Sequence, residues 1–362
     1  MELTIMKFSI NLLITINGCI LIGFNDATLD LHLKTIQHLS PSVEGAIFVV
    51  QGAFYAMFNP YWASLVDQVA SKHSLCIAGC VFSMLNYIIA GPLPFIPINP
   101  VVLITGSSSG IGAATAVQFS RAGANVVVTG RRADRVSEVA KECLKVSPKQ
   151  SKALEVVADV TKPEDLRRLV DTTVKHFGKL DVLVNNAGGS ITAKVDDKDF
   201  YENFSKVIQL NLNSVVYLTH ICVEHLEKTK GNIINISSVA GLRSFAGWSP
   251  YCMAKSALDM FTKCMAAELG PKRIRVNVIN PGPVRTEFLL AMGIPTSESD
   301  KFFEGFGKMM PLGRAGFAKD IADSILYLAS DHAAFITGTN LVSDGGQIAG
   351  NVLNAEALKD LM

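Results

Sequence analysis

Charge is thinly spread at the start of this chain. Of the 65 Asp, Glu, Lys and Arg residues among 362, only eight fall in the first 100 positions: Glu2, Lys7, Asp26, Asp30, Lys34, Glu44, Asp67 and Lys72. Over the whole chain the two signs nearly cancel to a formal +1, so no basic surplus marks a nucleic-acid surface and no nucleic-acid partner is expected. The seven cysteines are odd in number and contain no C-x-x-C pair, which argues against both a disulfide framework and a zinc site. Cys76 and Cys80 lie one helical turn apart, but inside an apolar run where packing explains them. Internal repeats and low-complexity tracts are also lacking.

What fills the charge-poor part is apolar sequence. Mean hydropathy is +0.31 with 49% hydrophobic residues, and the excess sits in residues 5–24, 46–66 and 75–96. Each run approaches the roughly 20 residues of a bilayer crossing, the third only by joining part of the proline-rich stretch that ends it. No small-x-small cleavage site precedes Asn25 and two more runs follow, so a cleaved leader is the weaker reading of the first. The stretch GFNDATLDLHLKTIQHLSPSVEGAIFVV, the turn NPYWASLVDQ and the third run ending in GPLPFIP resemble the start of the second half of a major-facilitator transporter, nearest its vesicular amine branch. Ala63 stands where that family's loop motif has a glycine, and its basic portion is reduced to Lys72 and His73. Three spans of a twelve-span architecture enclose no alternating-access cavity, so transport by this chain alone is not expected. The resemblance implies a membrane location through residues 1–98; without that segment a cytoplasmic one is expected.

Residues 91–100 hold four prolines, which end the third run near Ala90. If the third span reaches residue 98, the tether to the next domain is about two residues. The loop orientation implied by the transporter resemblance would also place that domain away from the cytoplasm. Two readings stay open: a tethered two-part protein of residues 1–98 and 99–362, or a fusion of unrelated coding segments.

The charged remainder opens with VVLITGSSSGIG at residues 101–112. Four apolar residues read as a buried strand, Gly106, Gly110 and Gly112 as a tight turn, and AATAVQFSR as the following helix. Glycines let a backbone approach a pyrophosphate, and a helix N-terminus offers it free N–H groups. Thr105, Ser109 and Ile111 complete this expected cofactor turn. A second strand at 126–128 leads into Thr129-Gly130-Arg131-Arg132. An NAD(H) site would carry an acid where Gly130 stands, whereas arginine suits a 2′-phosphate, so Arg131 and Arg132 favour NADP(H) over NAD(H). Asp159-Val160 and Asn185-Asn186-Ala187-Gly188 follow two further apolar strands, where an open parallel sheet places its ligands. Asp159 is expected near the adenine and Asn186, Ala187 and Gly188 along a cofactor ribose.

Ser238 is followed thirteen residues later by Tyr251, and Lys255 lies four residues beyond. On a helix the last two share a face, where an ammonium stabilises tyrosinate and lowers the phenol pKa. A tyrosine so poised exchanges the alcohol proton as hydride moves, and Ser238 bonds the substrate oxygen.

These residues together resemble the short-chain dehydrogenase/reductase family, over 101 to about 348, with the 3-oxoacyl-acyl-carrier-protein reductases as the nearest pattern. The resemblance implies a doubly wound, Rossmann-type α/β fold with a mainly parallel sheet, and a possible homotetramer. It implies Ser238, Tyr251 and Lys255 as the catalytic set, with Lys255 also on the cofactor ribose. Asn211 would hold a water for proton relay, and Pro281, Gly282, Val284 and Thr286 would contact the nicotinamide amide. The Asp344-Gly345-Gly346 turn is implied near a subunit interface. The basic residue usual in that family's glycine turn is absent here. Between these segments, residues 287–310 hold Phe288, Leu289, Leu290, Met292, Phe302, Phe303 and Phe306, enough apolar surface for a lid over a lipophilic substrate, and Trp248 is expected at its edge. The expected partner is a small carbonyl or alcohol. The competing readings are an NAD(H)-linked alcohol dehydrogenase and a transporter fragment or scaffold with an idle domain.

Overall fold

The computed structural model describes residues 99–148 and 150–350. The three expected spans at 5–24, 46–66 and 75–96 lie outside the described residues. Among the described residues no helix is long and apolar enough to cross a membrane.

The element order is β1 (Val101–Ile104), α1 (Gly110–Arg121), β2 (Asn125–Gly130), α2 (Ala133–Val146), β3 (Leu154–Val157), α3 (Pro163–Phe177), β4 (Val182–Asn185), α4 (Phe200–Ile208), α5 (Ser214–Thr229), β5 (Asn232–Ile236), α6 (Ser249–Leu269), β6 (Arg275–Pro281), β7 (Val284–Arg285), α7 (Phe288–Ala291), α8 (Thr296–Met309), β8 (Gly316–Phe317), α9 (Ala318–Ala329) and β9 (Asn340–Ser343). Among the described residues, seven strands form one sheet in the order β3-β2-β1-β4-β5-β6-β9, every neighbouring pair parallel. This is the doubly wound architecture expected from the sequence. The parallel pair β7–β8 stands apart from it.

β1 shows why its four consecutive apolar residues make a central strand. Side chains alternate across a strand, so Val102 and Ile104 enter one core with Ala116 and Phe119 of α1 and Ile321, Ile325 and Leu328 of α9. Val101 and Leu103 enter the opposite core with Leu166, Leu169 and Val170 of α3 and Leu218 and Leu226 of α5. Each fully buried Leu or Ile here contributes about 1.5–3 kcal/mol over an exposed one, so the sheet is fixed from both faces.

β1 is flanked by β2 and β4, so the chain winds outward in opposite directions from it. At such a switch point the loops leaving neighbouring strands diverge and open a crevice at their C-terminal ends.

Candidate active site

The crevice encloses about 1490 Å³ and runs from the ends of β1–β3 to α7 and α8. At one end, Gly106 and Gly110 adopt φ of +63° and +56°, a backbone that favours glycine, and Ser109, Gly110 and Ile111 present the start of α1 to the cleft. A side chain on Gly106 would meet the Ala187 backbone at 2.9 Å, so this loop and the β4 loop close on one another. The lining of this cradle, backbone and the Ser108 and Ser109 hydroxyls, fits a pyrophosphate.

Two residues of the expected turn work beneath it. Thr105 is buried and does not line the cleft; its Oγ1 accepts hydrogen bonds from the N–H groups of Asn186 and Ala187, both 3.0 Å. Gly112 is likewise out of the cleft, because a Cβ there would lie 2.5 Å from both the Gly106 carbonyl and Asn186 Nδ2. Both hold the loop in shape from beneath the cleft lining.

At the end of β2, a Cβ on Gly130 would collide with the Ser108 hydroxyl, so the side chain an NAD(H) site would place there enters only if Ser108 turns aside. Arg131 and Arg132 are exposed at the rim and line the cleft. They are not equivalent. Arg132 pairs with Glu287 at 3.3 Å, and Arg135 approaches the same carboxylate at 3.7 Å, while no carboxylate pairs with Arg131 among the described residues. Asp159 and Val160 line the same end, with Asp159 Oδ1 accepting from the Thr161 N–H at 3.0 Å and hydroxyl at 2.8 Å. Asn186, Ala187 and Gly188 form the floor, and Pro281, Gly282, Val284 and Thr286 the facing wall. A Cβ on Gly282 would strike Asp344 Cα at 2.8 Å, so that glycine is needed for contact with the turn after β9.

Ser238, Tyr251 and Lys255 meet in the middle of the cleft. Ser238 follows β5 by two residues, and its Oγ accepts from the Ala240 N–H at 3.1 Å, which orients it. Tyr251 and Lys255 lie on one face of α6, 6% and 3% exposed. The Lys255 ammonium sits 5.5 Å from the Tyr251 ring centroid and donates to the Ile236 carbonyl at 2.8 Å. Burial pulls its pKa down to about 8, against the opposing charge of Asp259. Burial also pushes the Tyr251 phenol well above its ordinary value, the adjacent Ser238 hydroxyl opposing this. The lowered phenol pKa expected from the spacing is therefore not the state of this structure. Desolvation of the tyrosinate outweighs an ammonium drawn toward a carbonyl.

Asn211 lies in a π-helical turn, Gln209–Asn213, between α4 and α5. Its Nδ2 donates to the Gly189 and Val207 carbonyls at 2.8 and 2.9 Å, and its Oδ1 accepts from the Gly189 N–H at 3.2 Å. It is fully buried behind the cleft lining, a clamp on the loop after β4. These bonds occupy the Asn211 side chain and fix the turn that carries it.

Three residues at the site escaped the sequence reading. Asp259, nine-tenths buried, accepts from Asn280 Nδ2 at 2.9 Å, and the same amide donates to the Ser238 carbonyl at 3.0 Å. Asp259 follows Lys255 by four residues and Tyr251 by eight, a spacing that marks one helical face. Asn280 gave no such signal. Ser190, whose buried hydroxyl has no partner among the described residues, lines the cleft beside Ile191.

Aromatic side chains wall the other end. Tyr251 meets Trp248 edge-on at 5.9 Å between centroids and Phe288 at 5.8 Å. Leu289, Leu290 and Met292, with Phe302, Phe303 and Phe306 of α8, complete an apolar roof as expected for 287–310. Gly293, at φ +86°, joins α7 to α8.

Comparison with known proteins agrees with this geometry. The sequence profile of the family described as enoyl-(acyl carrier protein) reductase matches residues 106–347. The chain is 38% identical over 260 residues to trans-4-hydroxycyclohexanecarboxylate dehydrogenase of Sinomonas cyclohexanicum, covering 71% of this chain and 96% of that one. It is 35% identical over 250 residues to the 3-oxoacyl-[acyl-carrier-protein] reductase of Haemophilus influenzae, covering 68% and 97%. A cofactor-bound short-chain dehydrogenase/reductase of unknown function from Caenorhabditis elegans superimposes with a TM-score of 0.67 at 39% identity, over 74% of this chain and 99% of that one. The first two are named as a dehydrogenase of a hydroxy acid and a reductase of an oxoacyl group, and a 7α-hydroxysteroid dehydrogenase 32% identical to this chain was solved with NADH. With its glycine cradle, its buried Tyr251–Lys255 pair and this likeness over residues 106–347, the chain belongs to the short-chain dehydrogenase/reductase family.

Proposed function

We propose that residues 99–362 catalyse reversible, NADP(H)-dependent interconversion of a lipophilic ketone and its secondary alcohol, with 3-oxoacyl compounds among the candidate substrates. The carrying observation is the convergence of Ser238, Tyr251 and Lys255 between a glycine cradle and an aromatic roof. The cradle (Gly106, Ser109, Gly110, Ile111) and the floor (Asn186–Gly188) would hold the cofactor, which when bound supplies or accepts the hydride. Ser238 Oγ donates to the carbonyl oxygen. Tyr251, kept protonated by its burial, gives that oxygen the proton in the reducing direction and takes it back in the other. Lys255 stabilises the tyrosinate left behind, and its own proximity to neutrality makes it the route by which that proton is replaced. The apolar roof excludes water while this happens.

Arg131, open at the rim, supports NADP(H). Glu287 supports the second reading, NAD(H), because it already neutralises Arg132 and crowds Arg135. A homotetramer belongs to the same proposal, with Met253 and Met260, 45% and 58% exposed on α6, available to a second copy. Membrane attachment would come from residues 1–98, and fractionating the chain with and without them reads it directly.

The test is oxidation of NADPH and NADH by the full chain against a ketone panel that includes a 3-oxoacyl thioester. Tyr251→Phe should cut turnover by about 10²–10⁴-fold while cofactor binding persists. Turnover undiminished in that variant would remove Tyr251 from the reaction.

A further inference from the structure

One acceptor at the far end of the cleft is used neither by the fold nor by the hydride chemistry. Gln347 is 8% exposed and lines both the main cleft and a side cavity of about 170 Å³. Its backbone is fixed on both sides. The Asp344 carboxylate accepts from the N–H groups of Gly346 and Ile348 at 2.8 and 2.7 Å, and the Gln347 N–H donates to the Asp344 carbonyl at 3.3 Å. Yet Oε1 of the side chain so positioned is buried with no hydrogen-bond partner among the described residues. The surroundings explain this. The side cavity's other lining residues are Arg243, Phe245, Phe306, Met309 and Met310, and of these side chains only that of Arg243 carries a donor hydrogen. Its guanidinium lies 5.0 Å from the centroid of the Phe245 ring and makes no bond to Gln347. A buried acceptor left unbonded carries its full desolvation cost, and few persist in native proteins. Held on a fixed turn beside a cavity larger than the roughly 30 Å³ share of a water molecule, this one points to a ligand that brings the donor.

The chemistry of this corner narrows the donor. A carboxylate, an ether or a ketone has no hydrogen to give. An ammonium would share a small, largely apolar cavity with the Arg243 guanidinium and be repelled by it. A neutral hydroxyl gives its hydrogen to Oε1 without that penalty. Its carbon chain is accommodated by Phe245 and Phe306, which line the main cleft as well as the side cavity. We propose that Gln347 is a specificity-determining residue whose Oε1 accepts a hydrogen bond from a hydroxyl at the end of the substrate remote from its reacting carbonyl. The substrate class is then a lipophilic hydroxyketone and the diol formed from it. This rests on the reading of the cleft as a carbonyl–alcohol site.

The experiment compares a homologous series of ω-hydroxy methyl ketones with their ω-fluoro analogues, which keep the size of the terminus and lose the donor, using the full chain. At the chain length that reaches Gln347, kcat/KM for the hydroxyl compound should exceed that for the fluoro compound roughly tenfold, as one bond to an otherwise unbonded buried acceptor implies. Gln347→Met, similar in length and without the amide acceptor, should bring that ratio close to one, and Gln347→Glu, which keeps an acceptor oxygen, should keep part of it. Because Oε1 gives up no bond within the protein, the Gln347→Met chain should melt no lower than the parent, which keeps the variant readable. Calorimetric titration of the same pairs into the Tyr251→Phe chain reads the subsite without turnover. A preference for the hydroxyl compound there, lost when Gln347→Met is added, supports the subsite even if no ketone is reduced, in which case only the enzymatic reading fails. Equal handling of the two series at every length, or a hydroxyl preference that survives Gln347→Met, overturns the subsite.

Discussion

The two ends of the cleft are built from different materials. The cofactor end is built on backbone: Gly106 and Gly112 bring the turn after β1 against the main chain of the loop after β4 and against itself, and Gly130 and Gly188 leave room for neighbouring side chains. The substrate end is side chains: Trp248 and Phe288 pack on Tyr251, and Leu290 and Phe302 line the cleft from α7 and α8, which join at Gly293. A site made of backbone leaves its trace in the sequence as glycines at fixed intervals. A site made of side chains admits many solutions of similar volume, so its outline is visible but its specificity is not.

The sharpest way to break this contrast is to add bulk at the backbone end. Gly112→Val places carbon against both the Gly106 carbonyl and the Asn186 amide, which is itself tied to the Thr105 carbonyl at 2.8 Å. It should cost about 2–3 kcal/mol in a denaturant melt and weaken cofactor binding with it. Unchanged melting would mean that the two loops separate easily.

Charge at the rim comes next. Arg131→Asp should raise KM for NADPH roughly 10- to 100-fold and leave NADH little affected, as loss of charge-assisted bonds to a 2′-phosphate requires. Glu287→Gln should act oppositely, lowering KM for NADPH several-fold by releasing Arg132 and Arg135. Equal effects on both cofactors in the Arg131 variant would favour the NAD(H) reading.

A smaller effect lies in the pH profile. Lys255 has a pKa near 8, held down by burial and held up by Asp259, so reduction should decline as pH rises through about 8 and the ammonium is lost. Asp259→Asn removes the charge that supports the ammonium, so the alkaline limb should move to lower pH. Movement to higher pH, or none, would show that Asp259 only packs against Asn280.

The least disruptive change is in the roof. Leu290→Ala, at a side chain 39% exposed, should raise KM a few-fold for large apolar ketones and leave small ones unaffected. A uniform effect would mean that α7 supports the fold and does not meet substrate.

The strands, the glycine turns and the Ser238–Tyr251–Lys255 spacing were legible because each rests on local rules of periodicity or helical geometry. Thr105, Gly112 and Asn211 were legible as positions, but the hydrogen bonds and close packing by which they hold the cofactor loops were not, since those partners are set by the packed structure. The pairing of Arg132 with Glu287, 155 positions away, had no local signature at all. The buried phenol pKa was misjudged because desolvation depends on the whole surrounding core and not on the one lysine that the spacing reveals.

The strand order also dictates how the domain comes to exist. β1, β2 and β3 are adjacent in the sheet and consecutive in the chain, so the nucleotide half assembles from contacts near in sequence. The substrate half waits for β9, which docks on β6 only after residues 340–343 are made, and with it arrive the Asp344 turn against Gly282 and Gln347. Pairing between distant segments is slow to form, so a chain halted during synthesis before β9 would present a finished nucleotide cradle beside an unwalled pocket and a bare edge of β6. Quality control at the ribosome, and any truncated product of this gene, would meet that half-built surface first.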